Sequence, residues 1–384
     1  MRVLHVVPSY FPAVRYGGPI VSVRALCSAL SRSGIQVDVA TTNADGPKDL
    51  RVPTDGWTEL DGLRVRYFPR WPRIDFAFSP ALARFLLGEA SRYDLVHVTS
   101  TFSFPATAAA WAARRAGVPY VISPRGSLQR WSLRQKRWKK LPYWVLAERA
   151  NLRHAAAIHA TAEMEAQELE EVLPGARVLI SPNGLDPAPP VEVARQARQV
   201  VFLGRIHRKK GLDILARAAA LLAPAIPDLE VLVAGPDDTG ERARVEALIA
   251  SLPAPPRFRW LGPVEGEAKW RLLSGAAAFA LPSHAENFGQ AVVEAMACGT
   301  PVVVSRNCPW AVAQERGAGA WVENTPEAFA AALRPILSDV ALARAMGAAA
   351  RALAADYQWP AIGRRFGEAL RQLAAERRRG AASS

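Results

Sequence analysis

The chain is short of the features that would settle its class at a glance, and each shortage excludes something. Of its 384 residues only three are cysteine, Cys27, Cys298 and Cys308. The count is odd and no C-x-x-C pair occurs. Neither a disulfide framework nor a thiolate metal cluster fits that pattern, and a reducing, cytoplasmic setting is expected. No run of about 18 apolar residues occurs, which excludes a membrane-spanning helix, so work at a membrane would be done from its surface. The opening MRVLHVVPSYFP has too short an apolar run for a signal-peptide core. No two aspartates stand two positions apart, so the Asp-x-Asp clamp for a divalent metal is missing. The histidines show no metal-ligand spacing either, and the expectation is no metal and no cofactor. G-x-G-x-x-G and G-x-x-x-x-G-K-[ST] are missing too, which argues against a nicotinamide dinucleotide and against ATP hydrolysis.

Acidic residues are outnumbered. Lys and Arg total 48 against 35 Asp and Glu, a formal net charge of +13. The excess is uneven: residues 1–182 carry 24 basic against 15 acidic residues, and Arg125–Arg153 alone holds nine basic residues and one acid, Glu148. Such an excess favours an anionic membrane surface, a phosphorylated substrate or a nucleic acid. No DNA- or RNA-binding motif accompanies it, so nucleic acid is not expected. Between Arg130 and Trp144 the basic residues are interleaved with Trp131, Trp138, Tyr143 and Trp144. That segment reads either as a helix lying on an anionic bilayer or as a solvated helix whose tryptophans face a core.

Half of the residues are hydrophobic, and the length suits two domains. Short apolar runs alternate with helical stretches of 10–15 residues: strands over Val3–Val7, Val37–Thr42, Leu95–Thr99, Tyr120–Ser123 and Ala156–Ala160, with one long helical stretch over about 130–153. Pro182-Asn183-Gly184 and Asp186-Pro187-Ala188-Pro189-Pro190 form the clearest linker. The alternation then restarts with strands Val200–Leu203, Glu230–Ala234, Phe258–Leu261, Ala278–Leu281 and Val302–Val304, and helices across 326–355. The expected fold class is α/β, with two doubly wound Rossmann-like domains, residues 1–182 and 183–359. Their ligands should bind at strand C-termini facing a central cleft.

Several constellations fall at such strand ends. Gly204-Arg205-Ile206-His207-Arg208-Lys209-Lys210-Gly211 runs from a strand to a helix, and Arg205 with Lys210 suits a diphosphate clamp. Glu286 and Glu294 flank the turn Asn287-Phe288-Gly289. Carboxylates accept hydrogen bonds from hydroxyl groups, and the following helix N-terminus suits a phosphate. Gly17-Gly18 lets backbone approach a ligand closely. His97, in Asp94-Leu95-Val96-His97-Val98-Thr99, could polarise a substrate, although a strand histidine is more often a satisfied core residue.

Taken in order, these pieces resemble the family 4 retaining glycosyltransferases of the GT-B architecture, of the bacterial envelope polysaccharide type. The resemblance runs nearly end to end, through YGGP, SPRG at 123–126, SPNGLD at 181–186, GRIHRKKG at 204–211, AGP at 234–236, WLGPV at 260–264 and the E-x7-E stretch. It implies that Arg205 and Lys210, beside Gly204, bind the donor diphosphate. Glu294 would take the ribose hydroxyls, Glu286 and the amides of Asn287, Phe288 and Gly289 the donor sugar, and backbone near Leu261 the base. Gly17 and Gly18 would approach the diphosphate or the acceptor. A last helix, 360–379, would pack back onto the N-terminal domain. Thr99 stands where many relatives place a histidine beside the anomeric carbon, and a hydroxyl is a poor general base. The expected activity is metal-independent transfer of a hexose from a UDP- or GDP-sugar to a glycan or lipid-linked acceptor, working from the cytoplasmic face of a membrane. The alternative is a nucleotide-sugar-binding protein with impaired catalysis.

Overall fold

The computed structural model describes residues 1–13, 18–72, 74, 76–135 and 137–382. The chain divides into two compact units, Met1–Gly184 with Trp359–Ser384, and Leu185–Gln358.

In the first unit the elements run β1 (Arg2–Ser9), α1 (Gly18–Arg32), β2 (Gln36–Thr42), β3 (Ala44–Asp45), β4 (Lys48–Asp49), β5 (Trp57–Leu60), β6 (Leu63–Phe68), α2 (Pro80–Glu89), β7 (Leu95–Thr99), α3 (Phe104–Arg115) and β8 (Tyr120–Ser123). Then come α4 (Arg130–Arg134), α5 (Arg137–Tyr143), a π-helical turn (Trp144–Glu148), α6 (Arg149–Arg153), β9 (Ala157–Ala160), α7 (Glu163–Val172) and β10 (Val178–Ile180). Eight strands form one sheet in the order β10-β9-β8-β7-β1-β2-β6-β5. All pair in parallel except β5, which meets β6 antiparallel through the two-residue turn Asp61-Gly62. Both turn residues have positive φ, 53° and 74°, the conformation that matches a tight hairpin to the strand twist. The central strands are buried on both faces, which is why they read as unbroken apolar runs. Helix α3 lies close to the sheet because its buried face is alanine: Ala106, Ala109, Ala110, Ala112 and Ala113.

The expected single helical stretch over 130–153 is broken in the structure. Pro142 lies inside α5, removing a backbone donor from the helical ladder, and the chain passes through the π turn before resuming as α6.

The second unit runs β11 (Gln196–Leu203), α8 (Leu212–Leu222), β12 (Glu230–Ala234), α9 (Glu241–Ser251), β13 (Arg257–Gly262), α10 (Gly266–Gly275), β14 (Ala276–Leu281), α11 (Gln290–Ala297) and β15 (Val302–Ser305). It ends with α12 (Ala311–Glu315), β16 (Gly319–Val322), α13 (Pro326–Ser338) and α14 (Val340–Ala355). Its sheet, β13-β12-β11-β14-β15-β16, is parallel throughout. The helical span 326–355 divides at Asp339, whose carboxylate accepts the amides of Ala341 and Leu342 at 2.8 and 3.0 Å and so caps α14.

Helix α15 (Trp359–Ala382) belongs to the first unit. Ile362, Phe366, Leu370 and Leu373 form its buried stripe, and the Arg371 guanidinium donates to the Ser33 carbonyl at the end of α1 at 2.7 Å.

One glycine sets the loop spacing of the second unit. Gly211, before α8, has φ 68°, and a Cβ there would lie 2.0 Å from the Pro282 carbonyl oxygen after β14. Gly211→Ala is therefore expected to cost on the order of 2 kcal/mol, read as a lowered thermal unfolding midpoint. An unchanged midpoint would mean the two loops are not in contact.

Candidate active site

Strands β11 and β14 are neighbours, so the loops that leave their C-terminal ends, 204–211 and 282–289, lie side by side. Backbone ties them: the His284 amide donates to the Lys209 carbonyl at 2.8 Å. Across this seam the Lys210 ammonium lies 2.5 Å from the Glu286 carboxylate, and the Ser283 hydroxyl donates to the same oxygen at 3.2 Å. Burial by itself would raise the Glu286 pKa. The Lys210 charge and hydrogen bond, with help from Lys209 and Ser283, outweigh it and hold the carboxyl below its ordinary value. Lys209 is pulled the other way, its pKa lowered by burial and by the neighbouring Lys210 and Arg205 charges against the opposing pull of Glu286. Arg205 is exposed, and among the described residues it has no hydrogen bond or ion pair.

Helix α11 starts beside this pair. Gly289, its N-cap, has φ 82° and no side chain to cap the first amides, which leaves an N-terminus suited to an anion. The turn before it is anchored by Phe288, whose ring is buried against Trp310 and Tyr357, with centroids at 5.1 and 6.0 Å. The Trp310 indole donates to the Phe288 carbonyl at 2.5 Å. Phe288 thus acts through its backbone, with its side chain in the core. Glu294, one turn into α11, lies 3.0 Å from Lys269 of α10; burial raises its pKa although Lys269 opposes the shift. Gly204 closes β11, its amide bonded to the Ala234 carbonyl at 2.9 Å. Leu261 lies near the end of β13, two strands away from β11, with its side chain exposed. The structure therefore gathers Arg205, Lys210, Glu286, Asn287, Phe288, Gly289 and Glu294 around two adjacent strand ends. Lys209 and Lys269, which the sequence reading passed over, belong with them. A lysine paired with Glu294 across 25 residues has no signal in the sequence.

The first unit holds the remaining candidates. Gly18 starts α1, and Gly17 lies outside the described residues. The expectation that His97 reaches a substrate is corrected. Its side chain is 0% exposed, on a sheet face covered by Phe366 of α15, and both ring nitrogens are engaged. His97 Nδ1 lies 3.0 Å from His5 Nδ1, and its Nε2 lies 3.3 Å from His159 Nδ1. Thr99, at the strand end, is 4% exposed and 3.2 Å from His5 Nε2.

Arg125 was also missed. It follows β8 with φ 54°, a left-handed conformation costly for a side chain bearing a Cβ. Its Nη1 donates to the Asn183 side chain. Its buried Nε and Nη2 have no hydrogen-bond partner among the described residues, and burial lowers its pKa to about 10 against the pull of Glu165. Glu165 braces the turn by accepting the Gly126 amide at 2.7 Å. The visible signal was an arginine between Pro124 and Gly126 at a strand end.

Residues 189–353 match the family model described as glycosyl transferases group 1, and residues 17–184 match a glycosyl transferase 4-like domain. A D-inositol 3-phosphate glycosyltransferase from Kineococcus radiotolerans is 30% identical, over 94% of this chain and 92% of that protein. This chain is a family 4, group 1 glycosyltransferase. Among solved structures, sucrose-phosphate synthase from Thermosynechococcus elongatus superposes with a TM-score of 0.77 at 24% identity, covering 98% of this chain and all of that one. Anabaena HepE in complex with UDP and glucose gives 0.73 at 20% identity, over 97% of this chain and all of that one; another crystal of HepE holds UDP-glucose. The glycosyltransferase shares with them the GT-B fold.

In this glycosyltransferase the folded-state pKa of Glu286 is depressed. The pair with Lys210 therefore adds stability above the ordinary carboxylate pKa and loses it as pH falls through the depressed value. Lys210→Ala removes the largest stabilising influence on that carboxylate. Its acid unfolding midpoint, followed by circular dichroism, is expected to lie at higher pH than that of the wild type. Coincident midpoints would show that the pair does not hold the loops.

Proposed function

We propose that this glycosyltransferase moves a hexose from a nucleotide-diphosphate sugar, UDP-glucose being the first donor to test, to an acceptor hydroxyl, with retention of configuration and without a metal. The observation that carries this reading is the Lys210–Glu286 pair seated beside Arg205 and the open N-terminus of α11. One side of that arrangement is cationic and suits the diphosphate. The other is a carboxylate held ionised, able to accept hydrogen bonds from sugar hydroxyls. Glu294 is close enough along α11 to serve the ribose hydroxyls, and the base would lie toward Leu261.

In this reading Arg205, Lys210 and the α11 amides stabilise the charge that grows on the departing diphosphate. A diphosphate oxygen takes the proton of the incoming hydroxyl on the same face, so no protein nucleophile is required. The HepE complexes with UDP and UDP-glucose favour UDP over GDP as the nucleotide. The alternative of a binding protein with impaired catalysis predicts donor binding without release of nucleotide.

For the acceptor, the exposed face of the basic segment supports a lipid-linked glycan at an anionic bilayer, met from the cytoplasmic face. Trp138 is 75% and Leu146 82% exposed, with Leu141 and Val145 exposed between them, an apolar stripe within the region richest in Arg and Lys. The names of the inositol-phosphate and sucrose-phosphate relatives favour a second reading, a small phosphorylated polyol.

Two measurements test the proposal. In a panel of UDP- and GDP-sugars, a UDP-sugar is expected to raise the unfolding temperature most and to release UDP on incubation. Lys210→Ala should lower that release about 10²- to 10³-fold, and an unchanged rate would overturn the site. In sedimentation with vesicles, the protein is expected to pellet with phosphatidylglycerol and not with phosphatidylcholine, and Leu146→Glu should weaken the pelleting. No pelleting with either lipid would leave the soluble acceptor.

A further inference from the structure

Three histidines from three different strands form one hydrogen-bonded line in the core of the first unit. From the strand end inward the contacts are Thr99 Oγ1 to His5 Nε2 at 3.2 Å and His5 Nδ1 to His97 Nδ1 at 3.0 Å. His97 Nε2 to His159 Nδ1 follows at 3.3 Å, then His159 Nε2 to the Ser181 carbonyl oxygen at 2.9 Å. The three rings are buried. The last contact fixes all the others. A carbonyl oxygen only accepts, so His159 Nε2 must carry hydrogen. A neutral imidazole has one N–H, so His159 Nδ1 accepts and His97 Nε2 donates to it. By the same count His97 Nδ1 accepts from His5 Nδ1, His5 Nε2 has no hydrogen, and the Thr99 hydroxyl must donate to it.

A further ring proton would have to sit on His5 Nε2 and reverse its bond with Thr99. Burial, then the nearby Arg125 charge, oppose it, lowering the pKa of His5 and of His159 to about 3. Burial and the neighbouring rings lower that of His97 as well.

An isolated threonine hydroxyl rotates and either donates or accepts. Here its hydrogen is committed inward. Thr99 Oγ1 makes no other hydrogen bond among the described residues, so its lone pairs remain to accept. The next residues bend sharply away, Ser100 at φ 93° and Phe102 at φ 52°, strain of the kind that gathers at ligand sites. Thr99 closes β7 at the C-terminal edge of a doubly wound sheet, the edge at which such folds bind ligands.

We infer that His5, His97 and His159 are a proton-ordered relay of positioning residues that makes Thr99 Oγ1 a fixed hydrogen-bond acceptor for a substrate hydroxyl. The order favours a hydroxyl over a phosphate or carboxylate oxygen, neither of which brings a proton. This role rests on the glycosyl-transfer reading, but the order of the protons does not.

Nitrogen-15 NMR of the full chain labelled in histidine reads the order directly. The expected result at neutral pH is hydrogen on Nδ1 of His5 and on Nε2 of His97 and His159. A cationic ring, or His5 carrying hydrogen on Nε2, would overturn the inference whatever the enzyme turns over. UDP release from UDP-glucose tests the role. Thr99→Val is expected to lower kcat about 10-fold, the value of one hydrogen bond, with the KM for UDP-glucose unchanged. His159→Leu should do the same, and the double variant should be no worse than either single one, because both act through one oxygen. His159→Gln can donate to the Ser181 carbonyl and accept from His97, and should keep most of the rate even if His159→Leu folds poorly. Additive losses, or a His159→Gln enzyme as slow as Thr99→Val, would reduce the line to a packing feature. If the wild type releases no UDP, the functional reading fails while the NMR result still decides the relay.

Discussion

The contact between Lys210 and Glu286 is the constraint on which the proposed donor site depends. Each residue closes a loop on a different strand, and the loops meet only because β11 and β14 are neighbours and Gly211 allows the chain to pass against Pro282. A partly buried ion pair is weak evidence for stability, since desolvation of the two charges offsets much of their attraction. Its value here is geometric. It holds an ammonium and a carboxylate at fixed places between an exposed arginine and an uncapped helix N-terminus. In the proposed reaction this arrangement offers complementary partners to a ligand with both phosphate oxygens and hydroxyl groups.

The alternation of strands and helices was legible in the sequence for a physical reason. A parallel strand buried on both faces is an unbroken apolar run, and Glu230–Ala234 is bounded in the structure as the sequence reads. What was not legible depended on tertiary contact or on weak local signals. Strand β16 has only four residues, Gly319–Val322, starts inside the glycine- and alanine-rich stretch 317–320, and is held as a strand by pairing with β15. The π turn at Trp144–Glu148 breaks what periodicity suggests is one helix.

The same limit applied to the sites. Arg205, Lys210, Glu286 and Glu294 could be picked out as candidates because each lies in a loop or helix start just after an identifiable strand. His5, His97 and His159 could not be joined, because they lie on three strands separated by 92 and 62 residues. Only the register that sets His5 opposite His97 aligns the first two. His97 therefore read as a site candidate when it is an interior member of a line that ends at Thr99 on the strand end.

The two units solve different electrostatic problems. The second concentrates charge, setting Arg205, Lys209, Lys210 and Lys269 against Glu286 and Glu294. The first suppresses charge. Burial disfavours the protonated form of His5, His97 and His159, and the nearby Arg125 guanidinium lowers their proton affinity further. A carboxyl in the same region is likewise driven toward its uncharged form. Glu148, last residue of the π turn, is buried with no ion pair among the described residues, and burial raises its pKa to about 7 although the Phe102 amide donates to it at 2.8 Å. That bond ties the strained loop after Thr99 to the far end of the segment whose Trp138, Leu141, Val145 and Leu146 face solvent. In a regular helix, Glu148 would lie on the same stripe as Leu141 and Val145, seven and three residues before it. The extra residue of the π turn rotates the chain enough to send Glu148 inward while those apolar side chains stay outside. The irregularity that the sequence conceals is thus what allows one short segment to brace the Thr99 strand end and present an apolar face at once.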